Sequence, residues 1–149
     1  MEPLKPLPGG NLRPSGPPRV LVVDDHPTVR RFCARILQDD GYHVFEAADG
    51  QDALELARAS AIDLVLLDIS MPVLDGFGLA AALRDDERTH TVPFIFVTAE
   101  TDPLVKARAF ECGAKGYFVK PFDPTALSAF VKKMLAHLAP QSRLSAVDG

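Results

Sequence analysis

Five polar side chains each stand at the end of a short apolar run, where a charge is costly to bury. Asp24 and Asp25 follow the run VLVV, Asp68 follows LVLL, Thr98 follows FIFV, and Lys120 follows YFV. An aspartate can act as a nucleophile toward phosphorus, and a metal ion and a lysine can neutralise the charge on the phosphoryl oxygens. These residue types therefore favour phosphoryl chemistry, provided that the fold brings them together.

A group of three carboxylates also needs a way to limit its own repulsion. Two like charges about 4 Å apart repel by roughly 4 kcal/mol at an effective dielectric near 20. The carboxylates must raise their pKa values, move apart or bind a cation. An all-oxygen ligand set favours Mg²⁺ or Mn²⁺ over zinc, because no histidine or cysteine closes one of these runs. We therefore expect a divalent metal site that includes Asp24, Asp25 and Asp68.

The apolar runs are predicted strands, and helical patterns separate them. The strand candidates are VLVVDD (20–25), YHVFEA (42–47), DLVLLD (63–68), PFIFVT (93–98) and GYFVK (116–120). Apolar residues recur at helical spacing from Val29 to Leu37 and again from Leu127 to Leu138. This alternation predicts an α/β fold with a parallel sheet that is covered by helices on both faces. The carboxyl ends of its strands then form one edge, where ligands bind in such sheets.

Composition narrows the class of protein. The chain has 149 residues, 47% of them hydrophobic, and 16 basic against 20 acidic residues give a net charge of −4. No stripe of lysine and arginine is present, so we expect no nucleic-acid binding. Cys33 and Cys112 lack the spacing of a zinc site or a disulfide framework. Without an apolar run of roughly 18 residues or a secretion signal, the chain is expected to be soluble, cytoplasmic and not bound to membranes.

The two ends of the chain differ from its middle. Residues 1–18 contain six prolines and three glycines without an apolar period, and predict a disordered tail. Residues 139–149 begin next to a helix-stopping proline and predict a second tail or the start of a linker. Residues 19–138 are predicted to form one domain.

Four motifs resemble one known family. VLVVDDHPTVRR, DLVLLDISMPVLDG, FIFVTAE and GAKGYFVKPF are similar in order and spacing to the receiver domains of two-component response regulators. The resemblance extends from Arg19 to Leu138. It implies a flavodoxin-like, doubly wound sheet of five parallel strands in the order 2-1-3-4-5, with five helices on its two faces.

The resemblance also implies roles for the acidic residues. Asp68 is expected to be the phosphoacceptor. Asp25 is expected to bind Mg²⁺ directly, Asp24 to act mainly through a metal-bound water, and Ser70 to contribute its backbone carbonyl. The ligand set implied for the metal is thus three aspartates and one carbonyl.

Three further residues receive roles from the same resemblance. Thr98 is expected to hydrogen-bond one phosphoryl oxygen and Lys120 to pair with another. The bond between Lys120 and Pro121 is expected to be cis. Tyr117 falls at the family's switch position, where inward rotation accompanies a shift of Thr98. The surface formed by the fourth helix, the fifth strand and the fifth helix is expected to change with it.

The family implies partners rather than an external substrate. The phosphoryl group is expected to come from a sensor histidine kinase or a phosphotransfer protein, and the signal to pass to a downstream protein or to an output domain of the same chain. A homodimer through the switch surface is a further expectation. The domain would catalyse only its own phosphotransfer and its own dephosphorylation, and Ser70 and Glu100 occupy positions that influence the lifetime of the phosphorylated form.

Two other classes of protein share part of this pattern. Phosphatases of the haloacid dehalogenase class also use an aspartate nucleophile and Mg²⁺, but they place a second acid where this chain has Ser70. The segment GFGLAA (76–81) fits a dinucleotide fingerprint of an oxidoreductase, yet Asp75 would repel a pyrophosphate there. His26 is expected to be an exposed residue beside the acidic group.

Overall fold

Five strands alternate with five helices in the computed structural model, which describes residues 16–138. The predicted tails lie almost entirely in residues 1–15 and 139–149, outside the described residues, and remain predictions. In chain order the elements are β1 (Arg19–Val23), α1 (Pro27–Asp39), β2 (His43–Ala47), α2 (Gly50–Ala59), β3 (Leu64–Leu67), α3 (Gly76–Asp85), β4 (Phe94–Thr98), α4 (Pro103–Glu111), β5 (Tyr117–Val119) and α5 (Pro124–Leu138).

The strands form one sheet in the order β2-β1-β3-β4-β5, and every pair is parallel. This confirms the predicted flavodoxin-like topology. Val23, the last residue of β1, is in register with Leu67, the last residue of β3. Because the two neighbouring strands end level, the residues that follow them, Asp24 and Asp68, begin side by side.

Alternate strand residues supply two separate cores. Leu21 and Val65 face the side covered by α2, α3 and α4, whereas Val22 and Leu66 face the side covered by α1 and α5. All four side chains are at most 2% exposed. Since β1 and β3 are buried on both faces, they hold whatever follows them in fixed positions.

Local signals set where the helices begin. The carboxylates of Asp49, Asp75 and Asp102 accept hydrogen bonds from backbone N–H groups in the first turns of α2, α3 and α4. Such caps contribute typically about 1 kcal/mol each. Helix α1 differs, because its N-cap residue His26 makes no capping hydrogen bond with its side chain.

One residue of the predicted apolar stripe in α1 points elsewhere. Cys33 and Leu37 are buried as predicted, and Ala34 is buried beside them, but Phe32 is 48% exposed. Its ring lies against Phe122, with centroids 6.0 Å apart. The sheet contacts a narrower strip of α1 than the apolar pattern indicates, so Phe32 remains at the edge. Within residues 16–138, no helix has the length and hydropathy needed for a membrane crossing.

Candidate functional site

Three strand ends bring the predicted site residues together. Asp24 and Asp68 follow β1 and β3, and each is only 4% exposed. The Asp25 side chain is 29% exposed and lies next to them at the rim. Thr98 closes β4 and is 1% exposed. The strand ends therefore hold two buried carboxylates, a third carboxylate at the rim and one hydroxyl at the carboxyl edge of the sheet, as predicted from the parallel arrangement of the strands.

Lys120 reaches the acids from the end of β5, the strand at the edge of the sheet. Its Nζ donates to Asp24 Oδ2 at 2.5 Å and to Asp68 Oδ2 at 3.1 Å. Burial alone would lower the pKa of Lys120, but the hydrogen bonds and charges of Asp24 and Asp68 outweigh it, so the pKa lies above its ordinary value. The lysine is held as an ammonium between two carboxylates.

The remaining carboxylate oxygens show what else the site needs. Asp68 Oδ1 and Asp25 Oδ1 are buried atoms without a hydrogen-bond partner among the described residues. Leaving such an oxygen unpaired is costly. Ligand atoms of Asp24, Asp25, His26 and Asp68 all lie within 4.8 Å of one another. A hard divalent cation fits this group, because it would bind the unpaired oxygens and balance the excess negative charge.

The loop after β3 folds back on the strand end. The Gly76 N–H donates to the carbonyl of Ile69 at 2.8 Å. A Cβ at Gly76 would lie 2.3 Å from the carbonyl oxygen of Asp68, so only glycine fits there. Ser70 is exposed in this loop, and its carbonyl as a metal ligand remains a prediction. Gly76 therefore fixes the loop against the backbone of the candidate acceptor.

Thr98 and Tyr117 are linked through one loop. The Thr98 hydroxyl oxygen accepts from the Glu100 N–H at 3.3 Å, and the Tyr117 hydroxyl donates to the Glu100 carbonyl at 2.9 Å. Burial, followed by the charges of Glu100 and Asp68, raises the pKa of Tyr117. The Glu100 backbone thus contacts Thr98 through its N–H and Tyr117 through its carbonyl.

The peptide bond between Lys120 and Pro121 is cis, which confirms that prediction. The Lys120 N–H also donates to the carbonyl of Thr98 at 2.8 Å. The chain therefore leaves β5 directly beside the end of β4.

Two residues near the acids were not assigned roles from the sequence. The Arg30 guanidinium donates to the carbonyl of Asp24 at 2.8 Å and to the Glu46 carboxylate at 3.2 Å. The His26 Nδ1 lies 3.1 Å from Asp25 Oδ1 and 3.3 Å from Asp24 Oδ1. The sequence offered one signal for them. His26 directly follows the acidic pair, and Arg30 lies in the first turn of α1, so both start close to the strand end that carries Asp24 and Asp25.

The sheet order and this polar cluster together define the class of receiver domains that the sequence resembles. The comparison of sequences agrees: residues 20–132 match the family described as the response regulator receiver domain. The chain belongs to this family of two-component signalling domains, which are not classical enzymes. Neither the phosphatase nor the oxidoreductase alternative has comparable support.

Relatives and solved structures point the same way. The chain is 39% identical over 117 residues to "Probable transcriptional regulator ycf27" of Porphyridium aerugineum, covering 78% of this chain and 48% of that protein. It is 36% identical over 116 residues to transcriptional regulatory protein SrrA of Staphylococcus aureus, covering 78% and 47%. The chain thus spans about half the length of these curated relatives.

Two structures of similar proteins have the same fold. Chemotaxis protein CheY4 of Vibrio cholerae superposes with a TM-score of 0.76 at 37% identity, covering 80% of this chain and 100% of that chain. The receiver domain of the Francisella response regulator 1452 gives 0.75 at 29% identity, covering 80% and 98%. The predicted fold class is therefore confirmed.

Proposed function

We propose that this receiver domain accepts a phosphoryl group on Asp68 in a reaction that requires Mg²⁺ or Mn²⁺. One observation carries the proposal. Asp68 is 4% exposed, its Oδ2 is bound to Lys120, and its Oδ1 is buried without a hydrogen-bond partner among the described residues. A rigidly held carboxylate with one oxygen uncommitted is suited to act as a nucleophile.

The neighbouring acids are proposed as the metal site. Asp25 binds the ion directly, Asp24 acts mainly through a metal-bound water, and Asp68 and the carbonyl of Ser70 complete the protein's ligands. When bound, the ion would neutralise negative charge on the carboxylates and on the phosphoryl oxygens.

The donor is proposed to be a phosphohistidine of a sensor histidine kinase or a phosphotransfer protein. An oxygen of Asp68 forms a bond to phosphorus while the bond from phosphorus to the histidine nitrogen breaks, and the leaving imidazole keeps the electron pair. The Lys120 ammonium and the Thr98 hydroxyl donate to the phosphoryl oxygens. Lys120 already lies 3.1 Å from Asp68, so it needs little movement to reach them.

In dephosphorylation, the oxygen of a water molecule forms a bond to phosphorus while the bond from phosphorus to the Asp68 oxygen breaks, so that the carboxylate is restored and the water protons leave with inorganic phosphate. The carboxylate of Glu100 accepts from the N–H groups of Thr101 and Asp102, at 3.1 and 3.0 Å. Because these contacts hold the Glu100 carboxylate against the backbone of its own loop, it does not cover the acceptor. We therefore propose that Ser70, a small and exposed residue, mainly controls the access of water to the phosphoryl group.

The output is proposed to be a change at the switch surface formed by α4, β5 and α5. A shift of Thr98 toward the phosphoryl group pulls it away from the Glu100 N–H. The Glu100 loop then changes position, and the Tyr117 hydroxyl, which binds the Glu100 carbonyl, moves with it. Leu104, Phe110 and Val119 are exposed apolar side chains on α4 and β5. A partner can recognise them in one arrangement of the surface and not in the other.

The partners and the setting follow from this chemistry. Response regulators interact with histidine kinases and output domains. We propose that the domain works in the cytoplasm. Its signal would pass either to an output domain, with residues 139–149 as the linker, or to another protein, with residues 139–149 as a tail. Dimerisation through the switch surface is an alternative use of the same apolar residues.

Metal dependence provides the test. Acetyl phosphate with Mg²⁺ should add one phosphoryl mass to the intact chain, and an excess of a chelator should abolish the gain. The same gain in the presence of the chelator would contradict the proposed metal-dependent reaction.

A further inference from the structure

We propose that His26 is an additional ligand of the metal site, so that the site binds first-row transition ions such as Ni²⁺ with an imidazole nitrogen as well as carboxylate oxygens. The inference rests on the proposed metal site and goes beyond it. It names a residue outside the expected ligand set and predicts a metal preference that the carboxylates alone would not give.

The backbone directs the ring of His26 toward the acids. His26 is the N-cap residue of α1, with φ −91° and ψ 109°, and Pro27 restricts it to this extended region. A capping side chain would bind the first turn of α1, but the ring of His26 makes no such bond. Its Nδ1 lies instead beside the carboxylates of Asp24 and Asp25.

The distances agree with neighbouring ligands on one ion. Adjacent ligand atoms of an octahedral ion are about 3 Å apart when the metal–ligand bonds are about 2.1 Å, and opposite ones are about 4.2 Å apart. Nδ1 of His26 is 3.1 Å from Asp25 Oδ1, the oxygen of the proposed direct ligand, and this is the spacing of adjacent ligands. All four candidate ligand atoms, including one of Asp68, fall within 4.8 Å of one another.

A second, independent observation points to a cation at this place. Asp68 is 96% buried, since its exposed fraction is 4%, and its Oδ1 has no hydrogen-bond partner among the described residues. Asp25 Oδ1 also lacks a hydrogen bond, although the His26 ring is within ion-pair distance. These two oxygens, which lack hydrogen bonds among the described residues, and the imidazole nitrogen form a mixed oxygen and nitrogen donor set.

The donor set decides which ions gain from His26. Imidazole nitrogen is a preferred ligand for Ni²⁺, Cu²⁺ and Zn²⁺, and Mn²⁺ accepts it beside the oxygen ligands that it favours, whereas Mg²⁺ prefers oxygen and keeps its waters. The His26 side chain is 68% exposed, so Nε2 can carry the proton toward water while Nδ1 faces the metal. Loss of the ring should therefore weaken nickel binding far more than magnesium binding.

An ion pair is the competing account of the same contacts. If His26 served as a cation that balances Asp24 and Asp25, it would compete with any metal ion. Removing it would then tighten the binding of both metals. The two accounts predict opposite signs for one measurement.

Calorimetric titration of the purified chain with NiCl₂ and with MgCl₂ tests the inference. His26→Gln should weaken Ni²⁺ binding about tenfold or more and change Mg²⁺ binding less than about twofold. His90→Gln is the matched control, since His90 is an exposed histidine in the loop before β4. With Mn²⁺ bound, pulsed electron paramagnetic resonance should show an imidazole nitrogen coupling in the unmodified chain and in His90→Gln, and none in His26→Gln.

Equal Ni²⁺ binding by the His26→Gln variant, tighter binding by it, or an unchanged nitrogen coupling would overturn the role of His26. Phosphorylation of Asp68 with Mg²⁺ would still stand in each of these cases. If the unmodified chain bound neither metal, the role of His26 and the proposed metal site would both be wrong. The mass gain with acetyl phosphate and Mg²⁺ therefore separates the failure of one proposal from the failure of the other.

Discussion

The ammonium of Lys120 lies 2.5 Å from a carboxylate oxygen of Asp24, although β3 and β4 separate β5 from β1 in the sheet. The same ammonium contacts Asp68 at 3.1 Å. One positive charge thus balances two buried negative charges from different strands. Its removal should affect stability and chemistry together.

Lys120→Met is predicted to lower the free energy of unfolding by about 3 kcal/mol in the absence of divalent ions, because it leaves buried carboxylates without their cation. Mg²⁺ should restore part of the loss. Urea unfolding with and without Mg²⁺ measures both effects. Lys132→Met, an exposed position on α5, should change little. Equal stability of the two variants would show that the buried ion pair contributes nothing.

Gly76→Ala is predicted to destabilise the domain by about 2–4 kcal/mol and to slow phosphorylation, because the new Cβ would lie 2.3 Å from the Asp68 carbonyl. The loop must move, and the acceptor's backbone with it. Gly78→Ala is the matched control, since its Cβ would meet first the flexible end of the Leu74 side chain. Urea unfolding and the rate of mass gain should separate the two variants, and equal losses would refute the explanation.

Alkaline pH is predicted to destabilise the domain through Cys33. Burial, with a contribution from the charge of Asp24, raises the pKa of its thiol from 9.0 to about 11. Between these values the unfolded chain loses the thiol proton while the folded chain keeps it. The contribution of the Cys33 thiol to the free energy of unfolding is therefore fully present below pH 9 and is lost toward pH 11, by on the order of 2 kcal/mol.

Urea unfolding at several pH values checks this dependence. Cys33→Ala should show a shallower decline between pH 9 and 11 than the unmodified chain, whatever its stability at neutral pH. Lys120, whose pKa is also raised, adds its loss only at the upper end of this range. The same slope in both proteins would mean that Cys33 is not responsible.

Tyr117 is predicted to change its surroundings on phosphorylation, because its hydroxyl contacts the Glu100 carbonyl at 2.9 Å. The chain has two tyrosines and no tryptophan, so Tyr42→Phe leaves Tyr117 as the only strong fluorophore. Acetyl phosphate with Mg²⁺ should alter the emission of this variant. Adding Asp68→Asn should remove the change. Constant emission in a chain that mass spectrometry shows to be phosphorylated would exclude Tyr117 from the switch.

The sequence predicted the sheet and the meeting of the acids for one physical reason. Strands that are buried on both faces have continuous apolar sequences, and the carboxyl ends of parallel strands lie at one edge of the sheet. Asp24, Asp68 and Thr98 needed only that rule to be placed together, whereas Lys120 follows β5, a partly exposed strand that shares only the parallel direction. Their separate positions along the chain carry little information without it.

The details that the sequence did not predict depend on tertiary packing and loop geometry. Phe32 has the spacing of a core residue but lies at the edge of the α1 contact. Val73 takes a left-handed φ of 71°, which is unusual for a β-branched residue and has no signal in the sequence. The approach of His26 to Asp25 depends on a side-chain rotamer, and no spacing rule specifies it.

The identity of the phosphoacceptor is the central claim, and intact-mass measurement of Asp68→Asn tests it most directly. Asp63→Asn is the matched control, because Asp63 lies just before β3, at the opposite end from Asp68, and accepts from the Arg19 N–H at 2.7 Å. With acetyl phosphate and Mg²⁺, the unmodified chain and Asp63→Asn should each gain one phosphoryl group, and Asp68→Asn should gain none. A full gain in Asp68→Asn would contradict the account.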